Sequence, residues 1–447
     1  MVSFVSLFLG LVMGFQTVAV QVADPVARVT ILLDGQAIAS LEGPPWEKQI
    51  DLGPELVPHE LTAVALDSTG TELDRATQWL NLPRQPAETT ILIERHPSGV
   101  AHLARVSWKS LVDDNPSAIR VEFDGRTLEA EDPRAIPLPP HDPEVLHFLR
   151  VELEFGGFVR SSAEITFGGT YADQVNTELT AIPVVLDGRK NLPPAAKMED
   201  WFHARGETLR VAAFDKGQTE LIVVRDQGAW TRLRRIRAQA LSDQAPTVSG
   251  RRQGRYDRVQ WFRPDRPVWG TWTFQFLWPI PRRLVSGEGP YDLFTHSQKY
   301  SGESGSLHGW VTTAEQPADW VGTQRLADAV GVAAVTAASG NRRRAVLLIL
   351  GAEAQDASEA APEVVHRYLE ALGVPLFVWA VDAGATKESP WGTAENVSTP
   401  QLMARATRRL FHQLERHRII WLDGLHLPQQ IIVDDSVQGV RRVYDAE

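Results

Sequence analysis

Residue types that could support catalysis come together at one place in this chain of 447 residues. Ser304, Ser306 and His308 are close in sequence, and a serine beside a histidine is the starting arrangement of nucleophilic hydrolysis. Such a site also needs an acid that orients the histidine and a sharp turn that presents the serine, and sequence proximity shows neither. We interpret the segment as a loop. A secreted hydrolase that uses the 245–318 region stays as an alternative hypothesis.

Other common catalytic and metal-binding patterns are absent from the sequence. The chain has no cysteine, which excludes disulfides, thiolate nucleophiles and zinc-thiolate sites. It has no glycine-rich phosphate loop, no His-Glu-x-x-His and no Gly-x-Ser-x-Gly. The carboxylates at Asp113, Asp114 and 129–132 lie in turn contexts and are interpreted as surface groups. The sequence therefore favours a protein that is not an enzyme and uses no cofactor.

Charge and aromatic content restrict the partners. A net charge of −11 disfavours nucleic acid, because binding to phosphates needs a dense Lys/Arg surface. The arginine runs at 232–237 and 342–344 are interpreted as solvated faces of a helix and a loop. Tryptophan is densest in the run that contains Trp261, Trp269, Trp272 and Trp278. We expect these rings in a core, with an exposed protein-binding patch as the alternative.

The N-terminus carries the localisation signal. Residues 3–15 form a short apolar run, followed by polar residues at 16–17 and small residues at Ala19 and Ala23. This layout is typical of a secretory signal peptide, so we assign residues 1–23 to one and expect an extracellular or periplasmic protein without a membrane span in its mature chain. No Lys or Arg precedes the run, and it is short for a span of about 20 residues. A retained anchor and a buried N-terminal strand therefore stay as alternatives.

Two stretches repeat one pattern. Residues 27–35 and 117–125 each alternate apolar and polar positions and end in Asp-Gly. A Pro-Pro pair follows each, and then a second alternating strand at 61–67 and at 148–154. Short strands with turn signals between them predict two all-β sandwich, immunoglobulin-like domains over 24–95 and 100–177. Such domains usually act as spacers or binding modules.

The pattern changes beyond residue 178. A β lead-in segment is predicted over 178–217, with a hairpin around Arg205 and Gly206. Over 218–447 strands and helices alternate. The predicted strands are 220–224, 258–262, 272–278, 344–350, 374–381 and 419–422, and the predicted helices are 231–241, 319–338, 362–372 and 400–416. Apolar strands separated by helices predict an α/β, doubly wound, Rossmann-like parallel sheet covered on both faces.

Residues 178–440 resemble a von Willebrand factor type A domain, in the form found in a secreted acidobacterial subgroup. Residues 198–214 resemble that subgroup's lead-in, and residues 322–329 (GTQRLADA) resemble its Gly-Gly-Thr-x-Leu-x-Asp-Ala helix start. Residues 345–353 and 373–380 resemble two of its apolar strands, and residues 419–424 and 430–433 resemble its closing strands. The resemblance implies a type A fold for the C-terminal domain.

In that family a divalent cation, usually magnesium, lies at the carboxyl edge of the sheet and takes its last ligand from a partner's carboxylate. The resemblance places Asp226, Gly228 and Trp230 in the first metal-binding loop, where the family has an aspartate and two serines. Thr323 lies in the second loop, one residue off the usual spacing, and Gly351 replaces the aspartate of the third. Too few oxygen ligands remain for a hard cation, so we expect no metal.

The resemblance therefore implies an exported, non-enzymatic binding or scaffold protein, whose degenerate adhesion-site loops recognise another extracytoplasmic protein without metal. A structural envelope protein is a further alternative. Trp230 is expected either to fill the vacated metal position as a plug or to point outward as an anchor, and the plug is the preferred interpretation. Glu353 and Asp356 are expected to solvate their loop.

Overall fold

A computed structural model describes residues 2–6, 8, 10–22, 26–82, 87–96, 100–110, 115–130, 132–143, 147–155, 160–168, 179–187, 192–215, 219–243, 272–286, 289–302, 307–315, 322–339, 343–352, 355–382 and 389–444. Within them the chain has a mostly β N-terminal region and a later parallel sheet with helices. The predicted multidomain class is confirmed at that level. No helix in the described ranges is long and apolar enough to cross a membrane.

The first sandwich consists of two antiparallel sheets. Its strands are β1 (Val2–Phe4), β2 (Phe15–Val22), β3 (Arg28–Leu33), β4 (Gln36–Leu41), β5 (Glu47–Asp51), β6 (His59–Leu66) and β7 (Glu72–Leu80). One sheet has the order β1-β2-β5 and the other β4-β3-β6-β7. Apolar residues at alternate positions of these strands meet in one core.

The segment assigned to a signal peptide is part of this sandwich. Strand β2 pairs with β1 and β5, and its Val18 and Val20 are 0% and 5% exposed. The alternating pattern of Phe15–Val22 buries every second side chain, as in a strand of a half-solvated sheet. Residues 15–22, which fall within the segment assigned to a signal peptide, thus form a strand of this sandwich, as the alternative of a buried N-terminal strand expects, and the signal-peptide assignment of residues 1–23 stays a prediction.

The second sandwich repeats the first. Its strands are β8 (Ala87–Arg95), β9 (Ala101–Ser110), β10 (Ala118–Phe123), β11 (Arg126–Leu128), β12 (Ala135–Pro137), β13 (His147–Glu154) and β14 (Arg160–Phe167). Its sheets have the orders β12-β9-β8 and β11-β10-β13-β14. The repeat seen in the sequence therefore corresponds to two copies of one sandwich plan.

A histidine–aspartate contact recurs in both sandwiches. Asp34 and Asp124 have positive φ angles of 52° and 48° at the Asp-Gly turns. Each carboxylate lies 2.7 Å from a histidine Nδ1 at the start of the paired strand, His59 in one domain and His147 in the other. Burial alone would raise the pKa of Asp34, but hydrogen bonds from His59 and the Glu60 N–H lower it below its usual value.

The lead-in segment contains β15 (Leu179–Leu186), β16 (Phe202–Ala204), β17 (Glu207–Leu209) and β18 (Val211–Asp215). The hairpin between β16 and β17 turns at Arg205 and Gly206, which both have positive φ. This is the turn predicted from the sequence.

The α/β unit has one six-stranded sheet in the order β23-β20-β19-β24-β25-β26. All of its strands are parallel except the edge strand β23. Its elements are β19 (Thr219–Arg225), α1 (Ala229–Asp243), β20 (Trp272–Leu277), the hairpin β21 (Arg282–Ser286) and β22 (Gly289–Leu293), β23 (Tyr300–Gly302), α2 (Leu307–Thr313), α3 (Leu326–Ser339), β24 (Arg343–Leu350), α4 (Pro362–Leu372), β25 (Leu376–Ala380), β26 (Glu395–Asn396) and α5 (Pro400–Glu415).

Helices cover both faces of this sheet. Apolar residues of α3 and α4 form the core on one face, and those of α1, α2 and α5 form the core on the other. Strands β19 and β24 are buried along their whole length, as expected for central parallel strands. The doubly wound arrangement predicted from the sequence is confirmed.

The strand expected to close the parallel sheet lies elsewhere. The remaining strands are β27 (His417–Asp423), β28 (Ile431–Val433) and β29 (Val440–Arg442). Strand β27 pairs antiparallel with β15 and β18 in a sheet of order β18-β27-β15-β29, and β28 pairs with β16. The C-terminal strands thus complete the lead-in segment, which has a core of its own.

The arginines at the start of β24 are buried rather than solvated. Arg343 and Arg344 are 4% and 3% exposed. Arg343 donates to the carbonyl of Leu414 at the end of α5, and Arg344 donates to Ala338 and Leu372 at the ends of α3 and α4. Carbonyls at helix C-termini have no partner within the helix, so these guanidiniums satisfy them. The prediction that arginines lie on a solvated face is confirmed for the arginines of 232–237 on α1, which are exposed.

Candidate binding site at the carboxyl edge of the sheet

The loops singled out in the sequence meet at the carboxyl edge of the parallel sheet. Asp226 directly follows β19, and Gly351 directly follows β24, its neighbour in the sheet. Gln324 lies two residues before α3 and contacts both loops. Clefts form at this edge of doubly wound sheets because the loops diverge from it.

Asp226 is the centre of this arrangement and is 1% exposed. Its Oδ2 accepts a hydrogen bond from the backbone N–H of Gly351 at 2.8 Å. Its Oδ1 accepts one from the N–H of Gly228 at 3.1 Å and one from Nε2 of Gln324 at 2.9 Å. A buried carboxylate is costly unless it is hydrogen-bonded, and these three donors stabilise it.

Gln324 joins all three loops through one side chain. Its Nε2 donates to Asp226 and to the carbonyl of Gln355, and its Oε1 accepts from the N–H of Gln227 at 3.2 Å. The side chain is 5% exposed, so its amide uses both its donor and its acceptor inside the protein. It therefore links the loops that follow β19 and β24 to the start of α3.

These residues do not fit a magnesium ion. A cation needs oxygen ligands directed at it, whereas both oxygens of Asp226 are approached by N–H groups. The Gln324 amide nitrogen lies 2.9 Å from Asp226 Oδ1, which also accepts from the N–H of Gly228. An N–H group of Gln324, rather than a cation, thus faces this oxygen of Asp226.

Gly351 is required by close packing, and Gly228 lies in a tighter than usual contact. A Cβ atom on Gly351 would lie 2.7 Å from Oδ2 of Asp226 and 2.8 Å from the carbonyl carbon of Gly228. A Cβ on Gly228 would lie 3.2 Å from the same carboxylate oxygen. Because Gly351 has no Cβ, the loop after β24 can approach Asp226 closely. An aspartate at position 351 would clash with the Asp226 carboxylate.

The other loop residues lie on the rim. Thr323, Gln227 and Ala352 are exposed. Asp356, which was expected to solvate its loop, instead accepts hydrogen bonds from the backbone N–H groups of Leu326 and Ala327 and so caps α3. Glu353 lies outside the described residues.

Trp230 neither fills the metal position nor points freely outward. Its ring is half-buried and lies 4.3 Å from the guanidinium carbon of Arg225. Arg225 is 4% exposed, and the rings of Phe276 and Trp278 also lie within 6 Å of its guanidinium. This placement does not agree with the plug interpretation, because the Trp230 ring lies on Arg225 and the group beside Asp226 is the Gln324 amide.

Arg225 ties α2 to the central strand. It donates to the carbonyls of Val311 and Ala314, at 3.3 and 2.8 Å, where α2 ends. Burial lowers the pKa of Arg225 to about 10, an effect that the charge of Glu315 partly opposes, so the guanidinium stays protonated at neutral pH. Arg225 and Asp226 are adjacent in sequence, but they hold different segments. Arg225 binds the C-terminal end of α2, whereas Asp226 binds the loop that follows β24.

The alternative hydrolase arrangement receives no support from the described residues. His308 lies on α2, is 4% exposed, and its Nε2 is 2.9 Å from the Thr407 hydroxyl of α5. Burial lowers the pKa of His308 to about 4, so the ring is neutral at neutral pH. Ser304 and Ser306 lie outside the described residues.

The tryptophan cluster is core where the structure describes it. Trp272 and Trp278 are 1% and 3% exposed and belong to the core on the α1, α2 and α5 side. Trp261, Trp269 and the strand predicted at 258–262 lie outside the described residues.

Sequence reasoning missed Gln324, although a signal was present. Thr323 lies one residue off the family spacing to the Ala-Asp-Ala segment, so the residue in register is Gln324. The structure follows that register: Gln324 faces Asp226, and Thr323 lies on the rim.

Comparison with solved structures gives weak similarity, mainly to fibronectin-III modules. No protein-family model and no curated protein matches the chain. Fibronectin(III)-like modules of Clostridium thermocellum CbhA are 21% identical, with 18% of this chain and 93% of that chain covered and a TM-score of 0.17. The central fibronectin-III array of RIM-binding protein is 9% identical, with 43% and 80% covered and a TM-score of 0.21.

A third similar structure is the Bacteroides ovatus SGBP-B, from a mixed-linkage glucan utilization locus, in complex with a heptasaccharide. It is 14% identical, with 48% of this chain and 58% of that chain covered and a TM-score of 0.14. These TM-scores are too low to support a conclusion about function. The type A resemblance of the α/β unit therefore stays a proposal.

Proposed function

We propose that this chain is an exported, non-enzymatic binding or scaffold protein, in which two sandwich domains present a type A-like α/β unit that recognises another extracytoplasmic protein without a metal ion. One observation carries the proposal: the Gln324 amide lies 2.9 Å from Asp226 Oδ1 and holds together the loops that would otherwise surround a cation. An edge held together by hydrogen bonds in this way presents a defined surface.

The binding surface would be the rim around Gln324. Gln227, Thr323 and Ala352 are exposed there, and the hydrogen bonds beneath them fix the loops on which they lie. Preorganised loops lose little conformational entropy on binding, which favours affinity. Export is a proposal that rests on the signal-peptide-like pattern of residues 3–23 and on the resemblance to a secreted subgroup.

The test is capture of a partner from the extracytoplasmic fraction of the native cells, with and without excess EDTA. We expect the same partner in both conditions, and a double variant Thr323→Arg, Ala352→Arg to lose it. The control is Thr127→Arg with Ala37→Arg, which adds the same charge at exposed positions of the sandwiches. Loss of capture in EDTA, or equal loss in both double variants, would contradict metal-free recognition by the rim.

A further inference from the structure

A second surface of the α/β unit has an unusual charge. Helices α1 and α5 lie on the same side of the sheet, contribute to one apolar core and contact each other. Their outward positions carry seven exposed arginines, which we call the arginine face: Arg232, Arg234, Arg235, Arg237, Arg405, Arg408 and Arg409.

The charge of this face opposes that of the whole chain. The two helices contain these seven arginines, no lysine, and two acidic residues, Asp243 and Glu415, which gives them a net charge of +5. The whole chain has a net charge of −11, so subtracting +5 leaves −16 for the rest. These two helices are therefore positively charged although the chain as a whole is acidic.

Among the described residues, two carboxylates form ion pairs with arginines of this face. Asp382 pairs with Arg232 at 2.7 Å, and Glu395 pairs with Arg409 at 2.9 Å. Both acids lie near the carboxyl edge of the sheet, at the end of β25 and in β26. The charge of Arg405 also acts on Glu395.

Helix stability does not explain this arrangement. Like charges three and four residues apart on a helix repel, and α1 has such a pair in Arg234 and Arg237, as α5 does in Arg405 and Arg409. An acidic protein that keeps such pairs on one face gains no folding stability from them. A ligand that carries negative charge would remove the repulsion.

We propose that the arginine face binds a short acidic segment of a partner protein. Guanidinium groups bind carboxylates in a bidentate manner, so arginines on one face can hold a carboxylate-rich segment. Helix α1 has 15 residues and is about 22 Å long at about 1.5 Å per residue. An extended segment of about seven residues spans that length at about 3.3 Å per residue.

Larger polyanions fit this surface less well. A nucleic-acid duplex or an anionic membrane extends beyond the face and meets the acidic remainder of the chain. Membrane-surface helices also need several apolar side chains at the contact, and Leu241, 49% exposed, is the one exposed large apolar residue in the described part of α1 and α5. The face lies on the flank of the α/β unit rather than at its carboxyl edge, so the proposal is independent of the proposed function.

The test uses a fluorescein-labelled oligoglutamate peptide and the full chain, with fluorescence anisotropy as the readout. We compare wild type with the triple variant Arg234→Gln, Arg235→Gln, Arg237→Gln. The matched control is Arg75→Gln, Arg105→Gln, Arg120→Gln, which removes three exposed arginines from the sandwiches and changes the net charge equally. Vesicles that contain phosphatidylglycerol and a DNA duplex serve as the other anionic probes.

We expect saturable binding that weakens with added salt, a loss of affinity of roughly tenfold or more in the α1 variant, and a change within about twofold in the control. The proposal fails if oligoglutamate does not bind at low ionic strength or if both triple variants lose affinity equally. It also fails if vesicles or DNA bind and the peptide does not. Circular dichroism of each variant serves as the control that its fold is intact.

Discussion

At the scale of single residues, the carboxyl edge depends on one buried carboxylate and the groups that donate to it. Asp226 is satisfied by two backbone N–H groups and one side-chain amide. Each of these donors depends on the identity of a residue: glycine at 228 and 351 for close approach, and glutamine at 324 for its two-sided amide. Substitutions at these positions therefore have separate and measurable consequences.

Gly351→Asp is expected to destabilise the protein without creating a magnesium site. The new Cβ would lie 2.7 Å from a carboxylate oxygen of Asp226, and overpacking of this kind costs about 1 to 3 kcal/mol. Denaturant melts and calorimetric titration with magnesium measure the two effects, with Ala352→Asp at the adjacent exposed position as the control. Saturable magnesium binding by Gly351→Asp would show that the loops are wrongly aligned.

Gln324→Leu is expected to lower the free energy of unfolding by about 2 to 3 kcal/mol, the range for losing a hydrogen bond to a buried charged group. The leucine fills similar space but gives Asp226 no donor and leaves the Gln227 N–H without its Oε1 partner. Thr323→Val, on the exposed rim, should change the same quantity by less than about 0.5 kcal/mol. Equal stability of Gln324→Leu and wild type would mean that the amide does not hold the loops.

At the scale of elements, local signals predicted some helix boundaries and missed others: the helix predicted at 319–338 begins at Leu326, and α2 was not predicted. Helix α4 begins at Pro362 and ends before Gly373, which has a φ of 64°, as the sequence indicated. Proline and glycine fix backbone angles by their own chemistry, so such boundaries can be predicted from one segment. The hairpin at Arg205 and Gly206 was predictable for the same reason.

Features that depend on distant partners were not predictable. The apolar pattern of 419–422 indicates a buried strand, but it does not say that β27 pairs with β15 and β18 instead of the parallel sheet. The burial of Arg343 and Arg344 depends on three helix ends that converge there. Whether Thr323 or Gln324 faces Asp226 depends on a one-residue shift in the loop before α3. That shift is set by packing against the other loops and not by the local sequence.

The contact between α2 and α5 predicts a pH dependence. Burial lowers the pKa of His308 to about 4, whereas an unfolded histidine has a pKa of about 6.5. The unfolded state therefore binds more protons between these values, and stability that is fully present above about pH 6.5 falls as the pH drops toward 4. Each pH unit in this window costs at most about 1.4 kcal/mol for one such group.

His308→Gln is expected to reduce the slope of unfolding free energy against pH in this window. His417 keeps part of the slope, because burial and the nearby Arg343 lower its pKa to about 3. Denaturant melts at several pH values give the slopes, and His412→Gln on the exposed side of α5 is the control. Identical slopes for wild type and His308→Gln would show that this ring is not buried as a neutral group.

At the scale of the whole molecule, the first sandwich is tied to the α/β unit. Leu11, Leu56 and Leu82 pack into the core that α3 and α4 form. The Tyr368 hydroxyl donates to the carbonyl of Asn81 at 2.6 Å, and Arg367 pairs with Glu55 through two hydrogen bonds. The sandwich is thus packed against the α/β unit rather than joined to it only by a linker.

A chain that starts at Asp24 is expected to have an unfolded first sandwich. It lacks β1 and β2, so β5 loses its sheet partner and the buried Val18 and Val20 are gone. Hydrogen–deuterium exchange should rise across residues 28–80, while the second sandwich provides an internal control in the same molecule. Full protection of β3 and β6 in the shortened chain would mean that residues 1–23 are not part of this domain.

The central claim is that the carboxyl edge is closed by Gln324 and takes no cation. The most direct measurement is the denaturation midpoint of the wild-type protein in millimolar magnesium and in EDTA. A ligand at about 100 times its Kd stabilises a folded protein by about 2.7 kcal/mol, so binding at this site would separate the two curves clearly. For wild type, and likewise for Gly351→Ala, we predict that the curve in magnesium coincides with the curve in EDTA. A higher midpoint in magnesium that disappears in Asp226→Asn would contradict the account.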